Sequence, residues 1–264
     1  MTGPQPDFLP ASPTGPRPET ARSIRFEIVL VFLITLGISG FRSLISLIDA
    51  LLAPTPIASQ TVTIVVPQAK ADLLDLIKQL LSVASGLAWG GLGLYLLWRA
   101  GVNLRERLGT DWRWRDIGPG VGLAALIGIP GLGFYLVAHA VGMNLAVAPS
   151  VLNDVWWRVP VLVLAAVQNG FAEEFLVVGY LITRLQQLRL PIWGILAASA
   201  VLRGSYHLYQ GFGGLIGNMV MGLVFAAVFL RWRRIWVLVI AHSLIDTVTF
   251  IGYPLLHGHV SWLP

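Results

Sequence analysis

Three groups of polar side chains lie inside apolar stretches of this sequence, and their residue types could carry out chemistry. Glu173 and Glu174 are adjacent in one stretch, His207 lies in the next, and His242 precedes Asp246 by four residues in the last. Carboxylates and imidazoles are costly to bury in hydrocarbon, so each is expected to have a partner or a function. A buried carboxyl group can serve as a general base, and the set therefore indicates hydrolysis of a bond within or at the edge of a membrane.

The spacing of these residues predicts which of them can share a partner. Adjacent glutamates point about 100° apart on an α-helix, so Glu173 and Glu174 are not expected to face the same group in the same way. Asn169 is expected on the face of Glu173, four residues earlier. His242 and Asp246 are expected on one face, where they either satisfy each other through a local hydrogen bond or present an oriented imidazole to the cavity of Glu173.

Arg203 lies one helical turn before His207 in the same apolar stretch. A histidine alone in such a stretch is more often a satisfied core residue than a ligand. A guanidinium at that depth, however, must find a carboxylate, and the preceding stretch offers two. The sequence therefore predicts an ion pair between Arg203 and Glu174 or Glu173, and it places His207 at the same site.

The elements that must position these groups are predicted to be transmembrane helices. Hydrophobic residues make up 56% of the 264-residue chain and charged residues only 12%, outside the usual range of soluble domains. Crossing about 30 Å of hydrocarbon takes about 20 apolar residues, and suitable stretches fall at 26–52, 73–98, 117–142, 157–183, 191–208, 212–230 and 235–253. We predict an all-α polytopic membrane protein with about seven transmembrane helices, within a range of six to eight.

One membrane domain accounts for the chain, since no internal repeat stands out and no loop is long enough to fold alone. Residues 1–23 are polar and rich in proline and are predicted to be a disordered tail. The membrane domain is expected over 24–253, with its functional core at about 117–253, where nearly all the buried polar groups fall. Residues 254–264 are expected to form a short outer tail.

Basic residues alternate between loops and predict the orientation of the chain. They precede the first predicted span and follow the second, fourth and sixth: Arg17, Arg22, Arg25, Arg99, Arg105, Arg107, Arg113, Arg115, Arg184, Arg189, Arg231, Arg233 and Arg234. The positive-inside rule then places the N-terminus in the cytoplasm and the C-terminus outside. The net charge of +5 reports this topology, and no nucleic-acid partner is predicted. Tryptophans at span ends, Trp157 and Trp236 among them, are expected to form an interfacial belt.

The absence of cysteine limits the chemistry to carboxylate, imidazole, hydroxyl and amide groups. Glu173, His207 and His242 together would satisfy the ligand count of a catalytic zinc ion. The chain has no His-Glu-x-x-His pair, which is the familiar helical zinc motif. These observations leave both a metal-free and a zinc-dependent mechanism open.

The order of these groups resembles the CAAX prenyl protease and bacteriocin-processing family of intramembrane proteases, also called type II CAAX endopeptidase or abortive-infection-like proteins. That family carries EExxxRG, then FxxxH, then HxxxN or HxxxD on successive C-terminal helices. This chain has EExxxVG at 173–179, RxxxH at 203–207 and HxxxD at 242–246. Each motif is weak alone, and the ordered set over about 157–253 carries the resemblance.

The resemblance implies hydrolysis of a peptide bond in a membrane-associated substrate. Glu173 would activate the attacking water with support from Glu174, and His207 would bind or orient that water. His242 with Asp246 would stabilise the developing oxyanion. Because an ionised carboxylate cannot donate a hydrogen bond, Asp246 would either orient His242 or be held protonated. The resemblance favours a mechanism without a cofactor, with zinc as the alternative, and a peptide substrate that is either plain or lipidated.

Two departures from the family pattern keep other functions open. Val178 stands where the family has an arginine, and Arg203 stands where it has an aromatic residue. Either the cation has moved from one helix to the other, or the chain is a degenerate enzyme retained for binding, such as a membrane immunity protein. A third alternative is a small proton-coupled transporter that uses the same carboxylate and histidines as a relay.

Overall fold

The computed structural model describes residues 19–256, and its architecture is helical. The α-helices are α1 (Ala21–Ile34), α2 (Leu36–Leu52), α3 (Asp72–Arg99), α4 (Leu104–Leu108), α5 (Ile117–Ala140), α6 (Arg158–Glu173), α7 (Leu181–Gln187), α8 (Ile192–Ser205), α9 (Phe212–Trp232) and α10 (Ile235–Leu256). A π-helix, Glu174–Tyr180, joins α6 to α7. There are also two short strands, β1 (Thr61–Val65) and β2 (Ala146–Ser150), and three single-turn 3-10 helices, Ile57–Ser59, Trp114–Asp116 and Leu208–Gln210. The predicted all-α polytopic class is confirmed.

Five helical segments of the described chain are long and apolar enough to cross a membrane: Asp72–Arg99, Trp114–Ala140, Arg158–Gln187, Phe212–Trp232 and Ile235–Tyr253. Helices α1 and α2 make a sixth if the pair, bent by 51°, counts as one span. The fifth predicted span, 191–208, is not confirmed, so the count of seven is not confirmed either. That span corresponds to α8, which has 14 residues and at 1.5 Å per residue extends only about 21 Å.

The break between α1 and α2 lies at Thr35 and was not predicted. Its backbone angles, φ −127° and ψ −123°, fall outside the helical region, and its buried hydroxyl donates to the Val31 carbonyl at 2.6 Å. A Cβ at Gly37 would lie 2.5 Å from the Phe32 carbonyl oxygen, so the bend requires glycine there.

The predicted terminal tails fall largely outside the described residues. Helix α1 begins at Ala21, where Thr20 and Ser23 cap each other's backbone N–H groups, so the last residues of the predicted 1–23 tail are helical. At the other end, α10 continues to Leu256. The remainder of both tails, 1–18 and 257–264, is not described.

The two strands form a parallel pair that was also not predicted. Thr61 is paired with Ala146 and Val65 with Ser150. Five-residue apolar runs of this kind are ambiguous between strand and buried helix from pattern alone. The residues just before β2 are bonded to the segment after α8: Leu145 N–H donates to the Gln210 carbonyl at 3.1 Å, and Asn144 forms a bridge with Gly211. The sheet is therefore attached directly to the His207 region.

The π-helix lies at the centre of the main hydrophobic core. All seven of its residues are buried, and α3, α6 and α10 pack around it. Helix α6 approaches its neighbours closely at small residues. A Cβ at Gly170 would lie 2.5 Å from Ser243 Oγ of α10, and a Cβ at Gly90 of α3 would lie 2.7 Å from the Phe171 ring. These close crossings bring the glutamates beside α10.

Two interfacial predictions need correction. Arg184 is fully buried in α7 rather than lying in a loop, and it donates to Glu19 at 2.6 Å and to Glu27 at 2.9 Å. Its charge is compensated, so it is a poor indicator of topology. Trp157 is buried in a smaller core cluster rather than exposed at a span end.

Candidate active site

The two glutamates at the junction of α6 and the π-helix have different surroundings. The Glu174 side chain is 0% exposed, and its Oε1 accepts from Arg203 Nη2 at 2.7 Å and contacts His242 Nδ1 at 2.7 Å. The Glu173 side chain is 12% exposed. Its Oε2 accepts from the Tyr206 hydroxyl at 2.6 Å and, more distantly, from Arg203 Nη1 at 3.4 Å. The roughly 100° between successive helical side chains accounts for this separation.

The structure contains the predicted Arg203–glutamate ion pair. Arg203 lies on α8, is fully buried, and reaches both glutamates. Its guanidinium also lies over the Phe225 ring of α9, 5.5 Å from the centroid. Helix α9 can come this close because it has Gly222, where a Cβ would lie 3.0 Å from Ala200 Cα. A buried guanidinium is tolerated when its charge is compensated, as it is here.

His207 and Tyr206 lie just beyond the end of α8 at Ser205. The backbone turns at these two residues, with φ −83° and ψ 5° at Tyr206 and φ −108° and ψ 3° at His207. His207 Nδ1 lies 2.9 Å from the Arg203 carbonyl. Because a carbonyl oxygen only accepts, Nδ1 must carry the proton, and Nε2 of the neutral ring holds the lone pair. The Tyr206 and His207 rings are 4.8 Å apart at their centroids.

Helix α2 supports this turn, a contact that was not predicted. Ser43 Oγ donates to the Tyr206 carbonyl at 2.9 Å. A Cβ at Gly40 would lie 2.6 Å from Ser205 Oγ, so α2 packs tightly against the end of α8. The N-terminal part of the chain therefore contributes to positioning the site.

The tautomer of His242 follows from its contacts. Nδ1 lies 2.7 Å from the Glu174 carboxylate and 3.4 Å from Arg203 Nη1. A single Nδ1 cannot both donate to a carboxylate and accept from a guanidinium, and the shorter contact identifies it as the donor to Glu174. Nε2 lies 3.7 Å from Asp246 Oδ2, too far for a hydrogen bond. The ring is thus fixed through Nδ1, and Nε2 is left for another partner.

His242 and Asp246 lie on one face of α10 as their spacing predicts, but the local hydrogen bond between them is not formed. Asp246 Oδ2 instead accepts from Asn169 Nδ2 of α6 at 3.0 Å. Asn169 therefore orients Asp246 across the α6–α10 crossing.

The structure thus brings together the predicted residues Glu173, Glu174, Arg203 and His242 in direct contact, with Asp246 and Asn169 beside His242. Sequence reasoning missed Tyr206 and Phe225. On a continuous helix, Tyr206 would point about 100° away from His207, whereas the end of α8 lets both serve the same region. The only signal for Tyr206 was its adjacency to His207.

The three residues considered as zinc ligands do not form a metal site in this arrangement. Within residues 19–256, no three histidine, aspartate or glutamate groups are placed to hold a metal ion. His242 Nδ1 faces Glu174, and the Arg203 guanidinium lies between Glu173 and His242. A cation bound to those two side chains would be repelled by the guanidinium.

A chain with five or six apolar spans around a buried carboxylate, arginine and histidine group is an integral, multi-pass membrane protein with a polar site among its helices. Residues 155–248 match the model of a family described as type II CAAX prenyl endopeptidase Rce1-like. The match covers α6 to α9 and the site residues of α10, a little over a third of the chain, and over that segment it confirms the resemblance predicted from the motif order. Proteins of this family are membrane proteases, which implies a membrane-associated peptide substrate. No curated protein and no solved structure matches the chain.

Proposed function

We propose that the protein is an intramembrane endopeptidase that cleaves a peptide bond with a water molecule activated by Glu173. The observation that supports this assignment most directly is the contrast between the two glutamates. Glu174 is fully buried and engaged by Arg203 and His242. Glu173 is partly exposed, and within the described residues its hydrogen bonds all reach Oε2. Its Oε1 is therefore the carboxylate oxygen available to a water molecule.

In the proposed reaction, Glu173 Oε1 takes a proton from water as the water oxygen bonds to the scissile carbonyl carbon. The C–N bond then breaks, and the proton passes from Glu173 to the departing amine. Tyr206 and Arg203 hold Oε2 and fix the direction of the carboxylate. His207 Nε2, with its lone pair, accepts a hydrogen bond from the same water and orients it.

The developing oxyanion is assigned to His242. Its ring is fixed by the Nδ1 contact with Glu174, and in the imidazolium form Nε2–H donates to the negative oxygen. Asp246 lies beside Nε2 without bonding to it, so it supports the charged ring and leaves the donor available. Preorganised donors of this kind in a dry site are among the largest contributions to catalysis.

The proposed mechanism uses no metal or cofactor, and the proposed substrate is a membrane peptide that is either plain or lipidated. Cleavage is tested with purified protein and a library of fluorogenic peptides, each supplied with and without a prenyl group. Glu173→Gln is expected to lower kcat at least about 100-fold, whereas Glu106→Gln, an exposed change on α4, is the matched control and should leave cleavage unchanged. Undiminished cleavage by Glu173→Gln would remove Glu173 from the mechanism.

Two further outcomes separate the alternatives. Peptide binding without cleavage by the unaltered protein would indicate a binding protein of the same fold. A chelator should leave cleavage unchanged. Stoichiometric zinc that is lost together with activity, and restores it when added back, would overturn the metal-free mechanism.

The proposed orientation places the N-terminus in the cytoplasm. It is supported by arginines at the ends of α3, α9 and the loop before α5, which belong to one side of the membrane. Because the chain has no cysteine, single-cysteine labelling has no background. Arg105→Cys should react with an impermeant maleimide only after permeabilisation, and Asn153→Cys, between β2 and α6, should react in intact cells. The reverse pattern would invert the topology.

A further inference from the structure

Two arginines at one end of the helical bundle converge on a single neutral side chain. Gln186 Oε1 of α7 accepts from Arg107 Nη2 of α4 at 2.7 Å and from Arg233 Nη1 at 3.3 Å. No carboxylate among residues 19–256 forms an ion pair with either arginine. The neighbouring Arg234, in contrast, pairs with both Asp111 and Asp116. The nearby acids therefore pair with Arg234, and the charges of Arg107 and Arg233 have no ion-pair partner in the part of the chain that the structure describes.

The backbone holds these two arginines in place. Arg233 ends α9 in the left-handed region (φ 53°), and its N–H donates to the Phe229 carbonyl at 2.8 Å. Its guanidinium lies 5.5 Å from the centroid of the Phe229 ring. Gly109, also left-handed (φ 66°), ends α4 directly against the Arg233 carbonyl, where a Cβ could not fit. The end of α4 and the α9–α10 turn are thus packed together, which sets the two guanidinium groups side by side.

Two like charges held this way carry an electrostatic cost. Burial, and then the charge on Arg107, lower the pKa of the Arg233 guanidinium below its usual value. An anion between the two guanidinium groups would remove that repulsion. Arg107 also lines an open cavity of about 360 Å³, together with Val102, Asn103, Glu106, Thr183 and Gln187. Glu106 in that cavity is exposed, and the space beside Arg107 is large enough for a phosphate group.

We propose that Arg107 and Arg233, with Gln186 between them, form a binding site for a phosphate group at the membrane surface. Guanidinium groups suit phosphate oxygens because they donate two parallel hydrogen bonds in a fixed plane. Arg233 follows the exposed Trp232 at the end of one span and precedes Ile235 at the start of the next, so the site lies at the level of lipid headgroups. An anionic phospholipid and free phosphate share the chemistry recognised here, and the test distinguishes them.

The test measures the thermal midpoint of the full-length protein in a neutral detergent. Dioleoylphosphatidylglycerol, dioleoylphosphatidylcholine or inorganic phosphate is titrated separately. A ligand that binds only the folded state raises the midpoint, and the rise grows with the logarithm of one plus the ligand concentration over Kd. Arg107→Gln and Arg233→Gln are expected to weaken the apparent affinity for phosphatidylglycerol about tenfold each. Arg105→Gln is the matched control, because it removes the same charge from an exposed position on the same helix.

A rise with phosphatidylglycerol in the unaltered protein and the control, lost in both site variants, supports a lipid headgroup. If inorganic phosphate raises the thermal midpoint as much as phosphatidylglycerol does, the same site is supported with free phosphate as its ligand. No rise with either anion overturns the proposal, as does an equal loss in Arg105→Gln, which would show general surface electrostatics. Neither arginine pairs with an acid between residues 19 and 256, so the site variants should fold without ligand as well as the unaltered protein. The readout is binding, so the result is independent of the proposed peptidase activity.

Discussion

Replacing Arg203 with methionine should test whether the buried ion pair holds the site together. The change keeps an unbranched, flexible apolar side chain in place of the arginine stem but removes the guanidinium. Glu174, with no exposed surface, would keep only His242 as a partner at 2.7 Å, and Glu173 would keep Tyr206. Removing one partner of a buried pair costs about 3–5 kcal/mol, because a buried charge is left uncompensated.

For a chain of this size, 1 kcal/mol corresponds to a shift of about 2–4 °C in thermal midpoint. Arg203→Met should therefore lower the midpoint by about 6–20 °C at a fixed scan rate in detergent. Arg158→Met is the matched control. It breaks an exposed ion pair with Asp154, whose N–O distance is 3.3 Å, and such pairs contribute about 0–1 kcal/mol.

The double variant Arg203→Met with Glu174→Gln separates charge from packing. It removes both members of the pair, so no carboxylate is left without its cation at that position, and the midpoint should recover more than half of the loss. Catalysis should not recover, since Arg203 also holds Glu173 Oε2. A double variant no more stable than Arg203→Met alone would refute the argument, because the loss would then come from packing against Phe225 and not from the uncompensated charge.

Three further changes test the site and its supports. Tyr206→Phe removes the 2.6 Å hydrogen bond to Glu173 and should lower kcat about 10- to 100-fold with little change in thermal midpoint; unchanged kcat would exclude a positioning role. Gly170→Ala places a methyl group against Ser243 and should destabilise the protein by about 1–3 kcal/mol, whereas Gly91→Ala, with no atom within 4 Å of its Cβ, should not; equal midpoints would contradict the close crossing. The hydrogen bond from Arg113, together with Arg234, lowers the pKa of the Asp111 carboxyl in the folded protein below its ordinary value of 3.8. The ionised carboxylate therefore stabilises the folded protein at pH values above 3.8. This stabilisation is lost as the pH falls through the lowered pKa of the folded state. Asp111→Asn should remove this part of the acid dependence of the midpoint, and an unchanged acid profile would show that Asp111 does not contribute.

The buried polar groups were predictable because hydrocarbon leaves them few options. Arg203 had to find a carboxylate, and only the preceding span offered two, so the ion pair followed from burial alone. The α6–α10 contact was harder to foresee, since it depends on Gly170 lying opposite Ser243. Spacing along one helix places side chains on a face but does not specify which residue of another helix they meet.

Features that depend on backbone hydrogen bonding were not predictable in this way. The π-helix at Glu174–Tyr180 shifts each bond by one residue relative to an α-helix, and its apolar sequence carries no signal for that shift. The end of α8 at Ser205 likewise follows from packing against Gly40 and Ser43 of α2. Because α8 ends at Ser205, Tyr206 lies in the site beside His207, whereas on a continuous helix it would point about 100° away from His207.

The π-helix also bears on the departure at Val178. In the family pattern an arginine occupies this position, but here Val178 is fully buried in the main core, within a π-helix buried along its whole length. An arginine there would have to displace core packing to reach Glu174. Arg203 reaches the same carboxylate from α8 with its guanidinium over the Phe225 ring and with space provided by Gly222. The charge at the site is thus supplied from a different helix, and a carboxylate that keeps its cation is more consistent with a retained site than with a degenerate one.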